Sequence, residues 1–351
     1  MENDTSTLTF DEVMERITEG LSGDTEKDRE YLSRQMEEYK QHKHSKEIMR
    51  AILRMLVEIA PNALKKKFAE TAEKMLLGVE DVVEEARFQF YKRDFKKALK
   101  IMDPLIKKID EKRAAGIYVD DDATEYRDFF SPIERSLYEE IYKPRKKVQE
   151  CGERLADAYL CYGAILVEVQ KYTEARLALE KALSYNPVSA AILFELADMY
   201  KIKGDNEEFL RLTKQCFECA YSSEMLSRCY NNLGLYYSEK DENTIAAALF
   251  YMSLDYVPGD KVAQSELFYI TEKTGQKVPT LRSDEIIAAL KKYGIQTGAD
   301  DRVVRIAYSL GTKYKEENDL AAAKYFFDIC YDLTEGEDVK AILDAIDEEL
   351  A

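Results

Sequence analysis

One stretch constrains this chain more than any other: Ala156–Ser189, ADAYLCYGAILVEVQKYTEARLALEKALSYNPVS. Its apolar residues recur at helical spacing in two halves. Tyr159, Tyr162-Gly163 and Leu166 mark the first half, and Tyr172, Ala175, Leu179 and Ala182 the second. Gly163 and Ala175 are small where two helices would cross closely, while Tyr159, Leu166 and Leu179 are large enough to fill the space around the crossing. Pro187 closes the second half, because proline disfavours helix at the residue before it and cannot continue the hydrogen-bond ladder.

The stretch has copies. Seventy-one residues on, Tyr230, Leu233-Gly234, Tyr237, Ala246, Phe250, Ser253 and Pro258 repeat it closely. Thirty-four residues on, Leu193, Leu196-Ala197, Tyr200 and Gly204 repeat the first helix, with a degenerate second one (Phe209, Thr213, Cys216). Leu310-Gly311, Tyr314, Leu320, Ala323, Phe327 and Cys330 form a further copy, and Ala86, Phe95, Ala98, Met102 and Leu105 a weaker one over 79–112. This spacing resembles the tetratricopeptide repeat, a 34-residue helix–turn–helix unit. Tyr159 stands where that family usually has Trp, and Tyr162 where it usually has Leu. The resemblance implies an all-α fold, a right-handed α-α superhelix (a tetratricopeptide-like solenoid) with N- and C-terminal helical caps. A single unit cannot bury its own apolar face, so neighbours and end caps are expected. The best repeats are 156–189, 190–223, 227–260 and 304–337, and the pair between 261 and 303 is loose.

Composition agrees. The 351 residues, 46% of them hydrophobic, can bury a sizeable core, and only 14 Gly and 7 Pro favour helix almost throughout. The net charge of −17 is uneven: residues 1–39 carry −8, residues 40–113 carry +7 and the remainder −16. An acidic chain of this kind argues against nucleic acid or an anionic membrane as partner. No apolar run approaches ~18 residues, and the acidic start MENDTSTLTFDEV lacks the basic and apolar regions of a signal peptide, so a cytoplasmic setting is expected. The six Cys (151, 161, 216, 219, 229, 330) lie inside helical patterns and suit reduced core thiols.

In chain order, residues 1–78 read as an N-terminal helical cap region. Residues 1–9 are expected to fray. A short helix follows through Phe10, Val13, Met14, Ile17 and Leu21, then one from Asp24 or Thr25 to Tyr39. A polar patch at Gln41–Lys46 precedes Ile48–Ile59, and beyond Pro61 another helix is predicted through Leu64, Phe68 and Met75. Residues 79–351 read as the helical array, with an inserted loop at 114–132, AGIYVDDDATEYRDFFSP following Ala114. Ser131-Pro132 opens a helix to about Pro144, and a helix from about Lys146 is expected to lead into the unit at 156. Val262–Thr274 and Ser283–Gly294 give the loose pair. The face Ile342, Leu343, Ile346 and Leu350 makes 339–350 a C-terminal capping helix.

The sequence offers little for chemistry. His42 and His44, at i and i+2, would diverge on a helix and are expected on its surface. Cys216-x2-Cys219 with Cys229 lacks the second pair that zinc needs, and Asp120–Asp122 lacks the glycine and closing Glu of a calcium loop. There is no phosphate-binding glycine loop, no Gly-x-Ser-x-Gly, and no His placed to serve a nucleophile. Neither enzyme, metal nor cofactor is expected.

What remains is a surface. The resemblance implies that first helices line a concave groove, formed by the first-helix residues the packing motif leaves free. In the repeats these are Asp157, Leu160, Ala164 and Val167; Phe194, Asp198 and Lys201; Arg228, Asn231, Leu235 and Ser238; and Arg305, Tyr308, Thr312 and Lys315. Their mix of apolar and basic side chains fits an extended or helical peptide, so the function expected is a non-enzymatic protein- or peptide-binding scaffold. The alternatives are a peptide-responsive regulatory sensor or a structural homo-oligomer.

Overall fold

The computed structural model describes residues 10–40, 42, 45–59, 78–275 and 281–350. Among them are seventeen helices and one two-stranded sheet, and the chain divides into two compact units, Met1–Val82 and Val83–Ala351.

The first unit contains α1 (Phe10–Glu19), α2 (Thr25–Glu38) and α3 (Ser45–Ile59). Val13, Ile17, Leu32, Tyr39, Ile48, Ile52, Leu53 and Leu56 form its core. Asp24 caps α2 by accepting from the Glu26 and Lys27 amides, and Asp28 pins the turn before it by accepting from Ser22 N at 2.6 Å and Gly23 N at 3.0 Å. His42 does not sit on a helix surface. It is buried in the α2–α3 turn, edge-on to Tyr39, because the chain must bend there and the ring fills the bend. His44, residues 1–9 and the helix expected over 64–76 lie outside the described residues.

The second unit begins within α4 (Val79–Tyr91) and continues through α5 (Phe95–Ala114). After an inserted segment come the helix pairs α7 (Leu155–Glu168) with α8 (Tyr172–Tyr185), α9 (Ala190–Ile202) with α10 (Asn206–Cys219), and α11 (Ser223–Glu239) with α12 (Asn243–Tyr256). Two of these pairs, and the pair around Gly311 further on, cross at a glycine. A Cβ added to Gly163 would stand 2.6 Å from Leu179, one on Gly234 2.6 Å from Phe250, and one on Gly311 3.0 Å from Phe327. The small and the large member are sixteen positions apart every time, so one register builds all three crossings. A second register, twenty-six positions apart, stacks Tyr159 on Tyr185 and Tyr230 on Tyr256. The pair that looked degenerate forms fully, with Ala197, Phe209, Thr213 and Cys216 all buried. These pairs pack one after another in an all-α helical array.

The two departures from the usual repeat residues have a physical reason. Tyr159 donates its hydroxyl to Asp110 at 2.6 Å and Tyr162 donates to Asp103 at 2.9 Å, both on α5. Tyrosine thus fills the crossing with its ring and ties the neighbouring pair with its polar tip. All six cysteines are free and buried.

Further expectations are corrected. The segment 114–132 is not only loop: β1 (Thr124–Arg127) pairs in parallel with β2 (Lys147–Glu150), which replaces the helix expected from Lys146. Lys143 turns left-handed (φ 45°) ahead of Pro144, and Gly152 (φ 64°) breaks the chain again before α7, leaving too short a run for helix. Asp120 and Asp121 are used up in this loop. Asp120 accepts from Tyr126 N and pairs with Arg127, while Asp121 accepts from the Ala123 and Thr124 amides.

Further on, α13 (Lys261–Thr274) and α14 (Ser283–Lys292) both pack on α12 rather than forming a pair of their own. Next, α15 (Asp301–Glu316) packs on α16 (Leu320–Thr334) and on α6 (Pro132–Tyr142), the helix of the inserted segment. The last pair therefore turns back on the array instead of extending it. Ser223 N donates to Asp332 at 2.8 Å, Arg302 pairs with Glu218 at 3.2 Å, and Tyr230 holds the preceding turn at Gln296 and Gly298. Finally, α17 (Glu337–Leu350) covers α16 with Val339, Leu343 and Ile346, whereas Leu350 is exposed.

Candidate functional site

The first helices α7, α9, α11 and α13 follow one another in a row, each packed against the helices of the pair before it. Bonds between helices form rungs along this row. At its start, Arg87 of α4 pairs with the buried Asp157 of α7. Farther along, Arg228 of α11 pairs with Asp198 at 2.7 Å and Glu195 at 3.5 Å, both on α9. Its guanidinium also lies 4.4 Å above the ring of Phe194. Asn231 Nδ2 then donates to Asp260 at 3.0 Å, and Asp260 caps α13 by accepting from Ala263 N at 2.8 Å.

These rungs change what the sequence-derived groove residues can offer. Phe194 is 2% exposed beneath Arg228 and is no accessible anchor. Asp157, Asn231 and Ser238 are buried too, and Leu235 packs into the core around Phe250. Lys201 leans over Phe209, with its ammonium 5.8 Å from the ring. Leu160 and Ala164 remain half-buried on α7, and Val167 beside them packs partly against Leu166 and Ala175. Glu195 shows the electrostatic consequence. Burial raises its pKa, Arg228 opposes that, and Asp198 and Glu168 reinforce it.

The fourth group is not brought beside the others. Arg305 pairs with Glu140 of α6 at 2.5 Å, and Tyr308 sets its ring edge-on to Phe327. The Thr312 hydroxyl donates to the Tyr308 carbonyl, and Lys315 is exposed. Because α15 packs on α6 rather than on a preceding first helix, this group faces a different surface.

Two parts of the row escaped sequence reasoning. Arg87 lay in a unit too weak to supply a register. On α13, Val262 (45% exposed), Phe268 (66%) and Tyr269 (52%) present an apolar face that the loose pairing had hidden. The signal was there: one period of 34 after Arg228, Asn231, Leu235 and Ser238 come Val262, Ser265, Tyr269 and Glu272. The row thus combines charged rungs satisfied within the protein with apolar side chains that are half-buried on α7 and exposed on α13. Among the described residues no helix is long and apolar enough to cross a membrane.

No protein-family model and no curated protein matches the chain. Among solved structures it is similar to a tetratricopeptide repeat protein from Parabacteroides merdae, at 13% identity over 96% of this chain and 98% of that one, with a TM-score of 0.34. It is similar as well to YrrB, described as a TPR protein with an unusual peptide-binding site, at 13% identity over 61% of this chain and 98% of the other, TM-score 0.30. The APC/C hetero-tetramer Cut9–Hcn1 aligns at 15% identity over 97% of this chain and 61% of that chain, TM-score 0.31. Within the chain itself one register repeats, Gly163 to Leu179, Gly234 to Phe250 and Gly311 to Phe327.

Proposed function

We propose that the chain is a non-enzymatic scaffold that holds an extended or helical segment of another protein along the first helices α7, α9, α11 and α13. The observation that carries this reading is α13, which continues the row and leaves Val262, Phe268 and Tyr269 open to solvent. Large aromatic side chains exposed together beside a rigid row are an expensive surface for a lone protein and a useful one for binding. Rungs such as Arg228–Asp198 fix the row in advance, so little ordering remains for the moment of binding. Leu160 and Ala164 on α7 offer a second apolar contact along the same row. The buried free thiols suit a reducing, cytoplasmic setting.

A peptide library displayed on phage and selected on the chain tests the reading. Selected peptides are expected to bind at least about tenfold more weakly to Leu160→Glu and Tyr269→Glu, in keeping with truncation of a central contact. They are expected to bind unchanged to Leu177→Glu, which alters an exposed residue of the second helix α8. No enrichment, or equal loss at Leu177, overturns the proposal.

A further inference from the structure

Glu134 sits in the first turn of α6 and is 1% exposed. Its Oε2 accepts hydrogen bonds from Phe130 N at 2.6 Å and from Asn186 Nδ2 at 2.8 Å, and the Ser189 hydroxyl faces the same carboxyl. Both donors are neutral, as is the Ser189 hydroxyl. The titratable groups facing it from other elements are Cys219, which ends α10, and Tyr221 in the turn after it. Burial pushes the Cys219 thiol up and the Tyr221 hydroxyl up to about 12, so both stay uncharged through neutral pH. Arg305, the cation that α15 brings to this helix, is taken by Glu140 farther along α6. With neutral hydrogen-bond donors on the carboxyl, burial raises Glu134 to about 7.

Asn186 supplies the second observation. Its Nδ2 is committed to Glu134, while its Oδ1 is buried with no donor. A carboxylic acid and a carboxamide set edge to edge close two hydrogen bonds, N–H to one oxygen and O–H to the other. A carboxylate can close only one.

We propose that the contact between α6 and the α8–α9 turn is a pH-sensitive clasp, in which protonated Glu134 and Asn186 pair through two hydrogen bonds and hold the inserted segment on the array. Ionisation removes one of those bonds and leaves a buried charge that forms no ion pair among the described residues. Because α6 also meets α15 through Glu140 and Arg305, opening the clasp loosens one of the ties on the last helix pair, while Ser223–Asp332 and Arg302–Glu218 remain. The sign follows from the raised value. The closed form retains a proton up to about pH 7, whereas the open form releases it near the ordinary 4.5. The clasp is therefore strongest in acid, weakens as pH rises from about 4.5 to about 7, and stays weak above. Asp128, which caps α7 by accepting from Ala156 N at 2.7 Å and is raised by burial to about 6, titrates in the same direction, so a variant must separate the two.

Glu134→Gln does this, since a carboxamide keeps both donors and acceptors at every pH and leaves Asp128 in place. Amide hydrogen exchange over 130–142, corrected for the intrinsic effect of pH, is expected to show equal protection trends at Asp128-dependent positions but a wild-type-to-variant protection ratio that falls about 30-fold between pH 5.5 and 8. A ratio that does not change overturns the proposal. Carboxyl carbon NMR of wild-type protein labelled at glutamate stands independently of the variant's folding. One glutamate titrating near 7 is expected, and the absence of any midpoint above 5.5 overturns the clasp.

Discussion

Replacing Phe250 with alanine is expected to destabilise the protein by about 3–5 kcal/mol, the range for removing a large ring from a packed interior. The ring is fully buried and lies against Gly234 at the α11–α12 crossing. The more telling result concerns the glycine. In an exposed helix, alanine is favoured over glycine by about 1 kcal/mol. Here a Cβ at position 234 would stand 2.6 Å from Phe250 Cε1, a contact a buried ring cannot relieve. Gly234→Ala alone is therefore expected to destabilise by about 1–3 kcal/mol through overpacking. In the Phe250→Ala background the same change is expected to stabilise, since the clash is gone and the propensity gain remains. Urea denaturation followed by circular dichroism measures the cycle. Additive effects of the two changes would contradict the crossing described here.

Tyr230 should give the second large effect, because it is both core and fastening. Its ring is fully buried, against Phe217 and stacked on Tyr256. Its hydroxyl donates to the Gln296 carbonyl at 3.1 Å and accepts from Gly298 N at 2.7 Å. Tyr230→Ala is expected to lose about 3–5 kcal/mol. Tyr230→Phe keeps the ring and is expected to lose about 1 kcal/mol for the hydrogen bonds. The phenylalanine variant isolates the fastening: exchange of the amides over 294–300 should rise while that of α12 stays unchanged. Equal protection of 294–300 in Tyr230→Phe and wild type would mean the hydroxyl does not hold the turn.

The parts of this fold that could be read from the sequence are those set by contacts between neighbours of fixed spacing. Gly163 with Leu179 and Gly234 with Phe250 announce themselves, because a small and a large residue recur sixteen apart on two periodic helices. The inserted segment gave no such signal. β1 and β2 are four residues each, and their pairing of Thr124 with Lys147 joins strands separated by a whole helix. The return of the last helix pair is equally non-local, resting on Ser223 with Asp332 and Arg305 with Glu140. The site suffered from the same cause. Phe194 looked free because its own helix leaves it free; it is covered by Arg228, which arrives 34 residues later. Conversely α13 was passed over because it lacks a second helix of its own, although the period alone places Val262 and Tyr269 on the row.

The central claim is that another chain lies along the row of first helices. A photo-activatable cross-linking residue placed in turn at Ala164, Tyr269 and Leu177, in protein bound to a peptide selected on the wild type, tests it most directly. The account predicts cross-links from Ala164 and Tyr269 and none from Leu177 on α8. Cross-links from Leu177 alone, or equally from all three, would contradict it.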